Sequence, residues 1–173
     1  MSKRLLTAFL IAAAMTVQAA SAASMSVQIM QNFEDQQGQA SISYLIEQAV
    51  IDYFFEAGHI VSSAPVYVLS SDRKDQIALK NTLRETSDGG MEYLITVTVH
   101  YSVDKELKDS ASLLLQYIKS VDWAVYAAKS GQKLASGSGS PGTITPANNN
   151  EKGIVKFSGR LAAQISAGLQ KTR

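Results

Sequence analysis

The segment Met91–Val103 limits the possible fold more than any other part of the sequence, because apolar and mostly polar side chains alternate along it. One side carries Tyr93, Ile95, Val97, Val99, Tyr101 and Val103, and the other carries Leu94, Thr96, Thr98, His100 and Ser102. Alternation of this kind predicts a β-strand with one buried face. It is typical of an antiparallel sheet that helices cover on one side.

Three helices are predicted around that strand. Apolar residues recur at spacings of three and four along Ile42–Ala57 and Glu151–Gln170, which is the pattern of amphipathic helices. A shorter helix begins near Ser70-Ser71-Asp72 and ends at Asp88-Gly89-Gly90. Gly153 and Gly159 each cost about 1 kcal/mol relative to alanine in a helix, so we expect close packing there.

Further extended segments complete the predicted sheet. A first strand is expected over residues 25–33. Residues 59–69 form either an edge strand or a strand and a loop, because Pro65 lacks the N–H that a central strand needs. A hairpin joins Val121–Ala128 to Lys133–Gly137. Residues 111–120 fit either a short helix or a strand. These elements predict a single α/β domain of the α+β type, with a mixed or antiparallel sheet of about four to five strands and helices packed on it.

The N-terminus has the three parts of a secretory signal peptide. Lys3 and Arg4 are basic, Leu5–Met15 is apolar but too short for the ~20 residues that span a bilayer, and Ala20-Ser21-Ala22 fits the small-x-small cleavage pattern. We expect cleavage between residues 20 and 23, preferably after Ala22 or Ala23. This predicts a signal peptide over 1–22, a single domain over 23–173 without a transmembrane segment, and a periplasmic or, alternatively, secreted location.

Composition excludes several function classes. The sequence contains no cysteine, which excludes disulfides, thiolate metal sites, a cysteine nucleophile and an acylated N-terminal cysteine. Without Lys3 and Arg4, the other 14 basic residues face 15 acidic ones. The mature chain is therefore nearly neutral, which gives no electrostatic basis for binding nucleic acid.

The residues that could carry chemistry do not form a recognisable site. His59 follows the helix-ending Gly58, and His100 lies on the polar face of the best strand. Carboxylates are close in sequence at Glu34/Asp35, Asp72/Asp75 and Asp104/Glu106, all in charged stretches. The Gly/Ser/Pro/Asn-rich segment 136–150 predicts a flexible loop, since it lacks the sequence context of a phosphate cradle. We therefore predict no catalytic, cofactor-binding or metal-binding residue and no enzyme.

Several short motifs resemble a group of bacterial envelope proteins. Gly58-His59-Ile60-Val61 follows an amphipathic helix, Tyr93-Leu94-Ile95 begins a strand, and Ser130-Gly131-Gln132-Lys133-Leu134 forms a turn. This order is similar to the periplasmic α/β domains of the curli-secretion lipoprotein, of the lipoprotein activator of penicillin-binding proteins, and of the amino-terminal part of the Tol translocation protein. The resemblance covers residues 25–170 and implies a non-enzymatic domain that binds protein partners in the envelope. The chain departs from the lipoprotein members in lacking the lipidated cysteine.

Two functions therefore compete. The first is an exported accessory or protein-interaction domain with a protein partner in the cell envelope, for which self-association is a further option. The alternative is a small secreted hydrolase or small-ligand-binding protein that uses His100 with nearby carboxylates. A large exposed apolar patch would favour the first function, and a deep pocket lined by His100 and two carboxylates would favour the second.

Overall fold

The computed structural model describes residues 22–32, 41–102 and 114–171. The elements in chain order are β1 (Ser24–Asn32), α1 (Ser41–Glu56), β2 (Ile60–Val68), α2 (Asp72–Asp88), β3 (Tyr93–Tyr101), β4 (Ile118–Ala127), β5 (Lys133–Gly139) and α3 (Glu151–Gln170). The predicted α+β class, with a mixed five-stranded sheet and helices packed on it in a single domain, is confirmed. Residues 1–21 of the predicted signal peptide lie outside the described residues.

The strands lie in the order β2-β1-β3-β4-β5. Strand β1 pairs in parallel with both β2 and β3, whereas β4 and β5 continue the sheet in antiparallel pairing. Two parallel strands of one sheet need a crossover connection. Helix α1 lies in the crossover from β1 to β2, and α2 lies in the crossover from β2 to β3. A short turn is enough for the β4–β5 hairpin.

One face of the sheet packs against α1 and α3. The buried cluster on this side includes Met25, Val27, Ile29, Ile46, Val50, Phe54, Ile95, Val97, Val121, Val125, Ile154, Phe157, Leu161 and Ile165. A buried hydrogen bond of 2.6 Å between Ser43 Oγ and Tyr101 Oη ties α1 to β3. Burial raises the pKa of the Tyr101 hydroxyl, so the tyrosine remains neutral in this apolar layer.

The other face is only partly covered. Helix α2 packs over its β2–β1–β3 side, where Gln28 Nε2 donates hydrogen bonds of 3.1 Å both to Thr82 Oγ1 on α2 and to the Pro65 carbonyl oxygen on β2. These two acceptors satisfy the buried side-chain amide of Gln28 and fix α2 relative to the strands. No described helix covers the β4–β5 end of this face.

Most predicted elements are present, with differences at their ends. Residues 115–117 form a short 3-10 turn and β4 begins at Ile118, so neither reading of 111–120 was right as a whole, and residues 111–113 lie outside the described part of the chain. Residues 136–139 belong to β5 and not to a loop over 136–150, because they pair with β4. Within residues 59–69, Ile60–Val68 forms β2, an edge strand with Pro65 in it, so the edge-strand reading is the right one.

Gly153 and Gly159 of α3 were expected to pack closely against another element, and neither does so among the described residues. A β-carbon at Gly153 would collide with the backbone oxygen of Asn148, which lies in the turn directly before α3. At Gly159 nothing lies within 4 Å of such an atom, so no contact requires that glycine.

Among the described residues, no helix is both long and apolar enough to cross a membrane.

Two adjacent phenylalanines on α1 test which of its sides is buried. Phe54 is 0% exposed in the core, whereas Phe55 is 70% exposed. We expect Phe54→Ala to lower the free energy of unfolding by about 3–5 kcal/mol, because it leaves a cavity, and Phe55→Ala to change it by less than ~0.5 kcal/mol. Urea denaturation of both variants measures the difference, and equal losses would contradict this orientation of α1. Leu45 is only partly buried, so Leu45→Ala should cost less than Phe54→Ala.

Candidate functional site

A groove of about 610 Å³ occupies the uncovered part of the second sheet face. Its floor consists mainly of small side chains that alternate toward this face on three neighbouring strands. They are Thr96 and Thr98 on β3, Asp122 and Ala124 on β4, and Ser136 and Ser138 on β5. Helix α2 forms one wall of the groove with Asp72, Asp75, Gln76 and Leu79. Met30 on β1 also lines the groove. The groove is therefore a gap between α2 and the edge of the sheet.

Carboxylates outnumber cationic groups along the groove. Asp72 and Asp75 lie on the α2 wall and Asp122 on the floor, whereas Lys133 is the one lysine or arginine among the groove-lining residues. The Lys133 ammonium lies 5.7 Å from the ring centre of Tyr126, which lines the same end. The groove thus presents a negative field with one cation held against an aromatic ring.

Asp75 also has a structural role at the end of β2. Its Oδ1 accepts hydrogen bonds of 3.0 Å from the Tyr67 hydroxyl and from the backbone N–H of Ser70. Desolvation, together with the Asp75 carboxylate, raises the pKa of Tyr67 above its usual value, although a hydrogen bond from Ser70 opposes this shift. The Asp75 contacts hold the turn that leads into α2, and so they set the position of the groove wall.

His100 has partners on both ring nitrogens. Asn32 Nδ2 lies 3.0 Å from Nδ1, and Asp122 Oδ2 lies 2.8 Å from Nε2. If the amide of Asn32 donates to Nδ1, the imidazole carries its proton on Nε2 and donates it to Asp122. His100 does not itself line the groove and reaches it only through Asp122. Because both nitrogens are engaged, neither contacts a serine or threonine hydroxyl as a general base would.

The other sequence candidates lie elsewhere. His59 is at the start of β2, where its Nδ1 accepts a 3.1 Å hydrogen bond from the backbone N–H of Ala23. The pairs Glu34/Asp35 and Asp104/Glu106 fall outside the described residues. No group of three or more His, Asp or Glu side chains in residues 22–32, 41–102 and 114–171 could hold a metal ion.

The structure brings the Asp72/Asp75 pair together with Asp122, which sequence reasoning had not selected. Asp122 lies directly opposite Thr98 on the neighbouring strand, and Ser138 lies opposite Asp122 on the other side. Asp122 reaches the groove because of the register between the strands. A single aspartate in an alternating strand gives no local signal of that register. The sequence pattern alone indicates only a polar face.

Trp123 packs beside the groove and against two glycines, Gly137 and Gly168. Neither glycine stood out in the sequence. A β-carbon at Gly137 on β5 would lie 2.6 Å from Cζ2 of the indole, and one at Gly168 on α3 would lie 2.8 Å from Cη2. Trp123 is buried, and its Nε1–H has no hydrogen-bond partner among the described residues. The two glycines therefore make the space in which β4, β5 and α3 approach one another.

Six large apolar side chains are exposed among the described residues. They are Tyr44 and Phe55 on α1, Ile60 on β2, Ile77 on α2, Val155 on α3 and Ile144 in the segment before α3. None of them lines the groove. The groove is therefore distinguished by its shape, its small polar floor and its carboxylates.

Comparison with known proteins gives a family. A family model described as "Uncharacterised protein" matches residues 24–170. No curated protein matches the sequence. A dodecamer of a PelC variant from Paraburkholderia phytofirmans is 10% identical, with 81% of this chain and 85% of that chain covered and a TM-score of 0.42.

Two further solved structures have similar statistics. Lipoprotein GNA1162 from Neisseria meningitidis is 15% identical over 84% of this chain and 99% of its own, with a TM-score of 0.42. The LpoB C-terminal domain from Salmonella enterica is 12% identical over 70% of this chain and 86% of its own, with a TM-score of 0.38. These are envelope proteins of the kind that the sequence resembles, so that expected resemblance is confirmed. At these identities the likeness concerns the fold.

Proposed function

The chain belongs to the family matched over residues 24–170, and we propose that its mature part is an exported, non-enzymatic accessory domain of the cell envelope that binds a protein partner. The observation that carries the proposal is the uncovered sheet face between α2 and β5. Its small hydroxyl side chains and three carboxylates line the groove of about 610 Å³. The predicted leader is the reason for assigning the domain to the periplasm.

The floor of the groove favours an extended segment of a partner. Thr98, Asp122 and Ser138 are opposite one another across three strands, so their side chains form a polar row across the floor. Small side chains allow a second chain to lie close to the sheet, and their hydroxyl groups can donate and accept hydrogen bonds. Because β5 is an edge strand, the groove is not closed by another strand on that side.

Charge complementarity identifies the chemistry of the partner. Asp72, Asp75 and Asp122 face the groove with Lys133 as the one opposing cation in its lining. A partner segment that carries lysine or arginine side chains is therefore favoured over an acidic one. Complementary charge of this kind raises the rate of association and makes it sensitive to salt.

Site-specific photo-crosslinking in the bacterial envelope tests this proposal. A photo-reactive residue at Ser138, exposed on the groove floor, should give a discrete adduct with a second protein, whereas one at Gln132, exposed in the β4–β5 turn, should not. Asp72→Asn should lower the yield at Ser138 several-fold, and high salt should do the same. Glu56→Gln on α1 removes the same charge from outside the groove and should leave the yield unchanged.

Several outcomes would contradict the proposal. Equal adducts at Ser138 and Gln132, or none at either position, would mean that the groove is not the contact surface. An adduct with the mass of two copies of the chain would identify self-association in place of a different partner.

The hydrogen-bonded chain Asn32–His100–Asp122 supports the second candidate, a hydrolase or small-ligand-binding protein, because Asp122 borders the groove. We expect His100→Ala to leave partner crosslinking at Ser138 within about twofold, since the imidazole bonds two side chains and does not line the groove. The same variant should hydrolyse model ester and peptide substrates no differently from the wild type. Hydrolysis by the wild type that His100→Ala abolishes, with an unchanged Tm, would replace the accessory function with the second candidate.

A further inference from the structure

Strand β5 has an outer side that faces away from β4. In the described part of the chain, no backbone hydrogen bond joins residues 133–139 to a segment other than β4. The segment that follows β5 returns to the start of β4, where the N–H of Gln116 donates a 3.0 Å hydrogen bond to Asn149 Oδ1. The outer backbone groups of β5 are therefore in a position to pair with a strand from another molecule.

Strand β5 also lacks the features that protect edge strands. Prolines, charged side chains and bulges are common means of preventing further pairing. The opposite edge, β2, contains Pro65 and a register shift in its pairing with β1. Residues 134–139 of β5 include neither a proline nor a charged residue, and their pairing with β4 is regular over residues 135–139. Strand β5 is therefore the edge of this sheet that is suited to accept a further strand.

A space lies beside this edge on each face of the sheet. On the α2 face is the groove, with Ser138 of β5 on its floor. On the α3 face is a cleft of about 440 Å³, here called the α3 cleft, which lies between β5 and the last turns of α3. Its apolar and small lining residues are Trp123, Leu134, Ala135, Ala167 and Gly168. Lys171 is the one charged residue among the cleft-lining residues.

A strand paired with β5 would direct its successive side chains to these two spaces in turn. Neighbouring strands lie about 4.8 Å apart, so a residue opposite Ser138 would be about 10 Å from Asp122, which pairs with Ser138 on β4. Because the Ser138 side chain is small, a lysine or arginine can extend over it toward the Asp122 carboxylate. The adjacent residues of that strand would point into the α3 cleft, where Lys171 disfavours a second cation and the small residues leave room for an apolar side chain.

We propose that the partner segment binds as a sixth strand along β5, with basic side chains over the groove and apolar side chains, at alternate positions, in the α3 cleft. Backbone hydrogen bonds hold such a strand, and the two sets of side chains determine which sequence binds. A second copy of this chain fits less well, because two β5 edges related by a two-fold axis would place the two acidic grooves side by side. The inference rests on the proposed function and adds the conformation and the sequence pattern of the partner segment.

Photo-crosslinking from both faces of the sheet in the bacterial envelope tests the sixth strand. A photo-reactive residue at Ala167, which is exposed and lines the α3 cleft, should give an adduct with the same protein as one at Ser138 in the groove. One at Ala163, exposed on α3 outside the cleft, should give none. An adduct at Ser138 without one at Ala167, or an equal adduct at Ala163, would overturn the sixth strand and leave the proposed function intact. No adduct at Ser138 would contradict the proposed function itself.

Peptide binding tests the sequence pattern and the backbone pairing. The probe is an eight-residue peptide in which lysine and valine alternate, and the fluorescence of Trp123, the one tryptophan in the sequence, reports its binding. We expect a Kd about tenfold lower than that of a peptide with the same composition in which pairs of lysines alternate with pairs of valines. N-methylation of all lysines and N-methylation of all valines remove the N–H donors on opposite sides of the strand, so only one of the two should abolish binding. Equal Kd values for all four peptides would overturn the inference.

A matched pair of variants on α3 tests the contribution of the cleft. Ala167→Lys fills the α3 cleft and should raise the Kd of the alternating peptide about tenfold. Ala163→Lys adds the same charge to an exposed position outside the cleft and should change the Kd by less than about twofold. Equal effects of the two substitutions would mean that the strand does not reach the cleft, which would overturn the proposed pairing.

Discussion

The two-sided pairing of β1 is the constraint on which the rest of the structure depends. It is the strand with parallel partners on both sides, β2 along one edge and β3 along the other. Both of its faces are covered as well: Val27 and Ile29 point into the core under α1 and α3, whereas Gln28 is bonded to α2. A strand in this position gains backbone hydrogen bonds and apolar burial together, so its loss would separate every other layer.

The same arrangement explains why one sheet face is left half open. The chain leaves β1 through α1 on one face to reach β2, and then crosses through α2 on the opposite face to reach β3. Helix α2 therefore lies over the parallel strands, while no described helix covers β4 and β5 on that face. When α3 follows, it packs beside α1 on the other side. The groove with Asp122 and Ser138 on its floor is thus a consequence of chain order, and its polar residues suit a surface that remains in contact with water.

Hydrophobic periodicity was sufficient to predict much of this fold but not the groove between α2 and β5. The apolar rows of α1, α3 and β3 could be identified because packing against a single core imposes a regular spacing on each. The register that aligns Thr98, Asp122 and Ser138 depends on pairing between distant segments, and a polar strand face looks the same whether or not a helix covers it. Gly137 and Gly168 illustrate the same limit, since neither residue carries a local signal of the Trp123 ring that packs against it. The segment 111–120 was ambiguous because Leu113, Leu114 and Leu115 suit a helix and a strand equally.

Native-state hydrogen exchange measures the central role of β1 most directly. The account predicts that the backbone amides of Val27 and Ile29 exchange only through global unfolding, with an exchange free energy equal to the unfolding free energy from denaturant titration. Amides of the edge strands β2 and β5 should exchange at lower free energies through local opening. Exchange of the β1 amides at the same low free energy as those of β5 would contradict the account, because it would show that β1 can detach while the remaining domain stays folded.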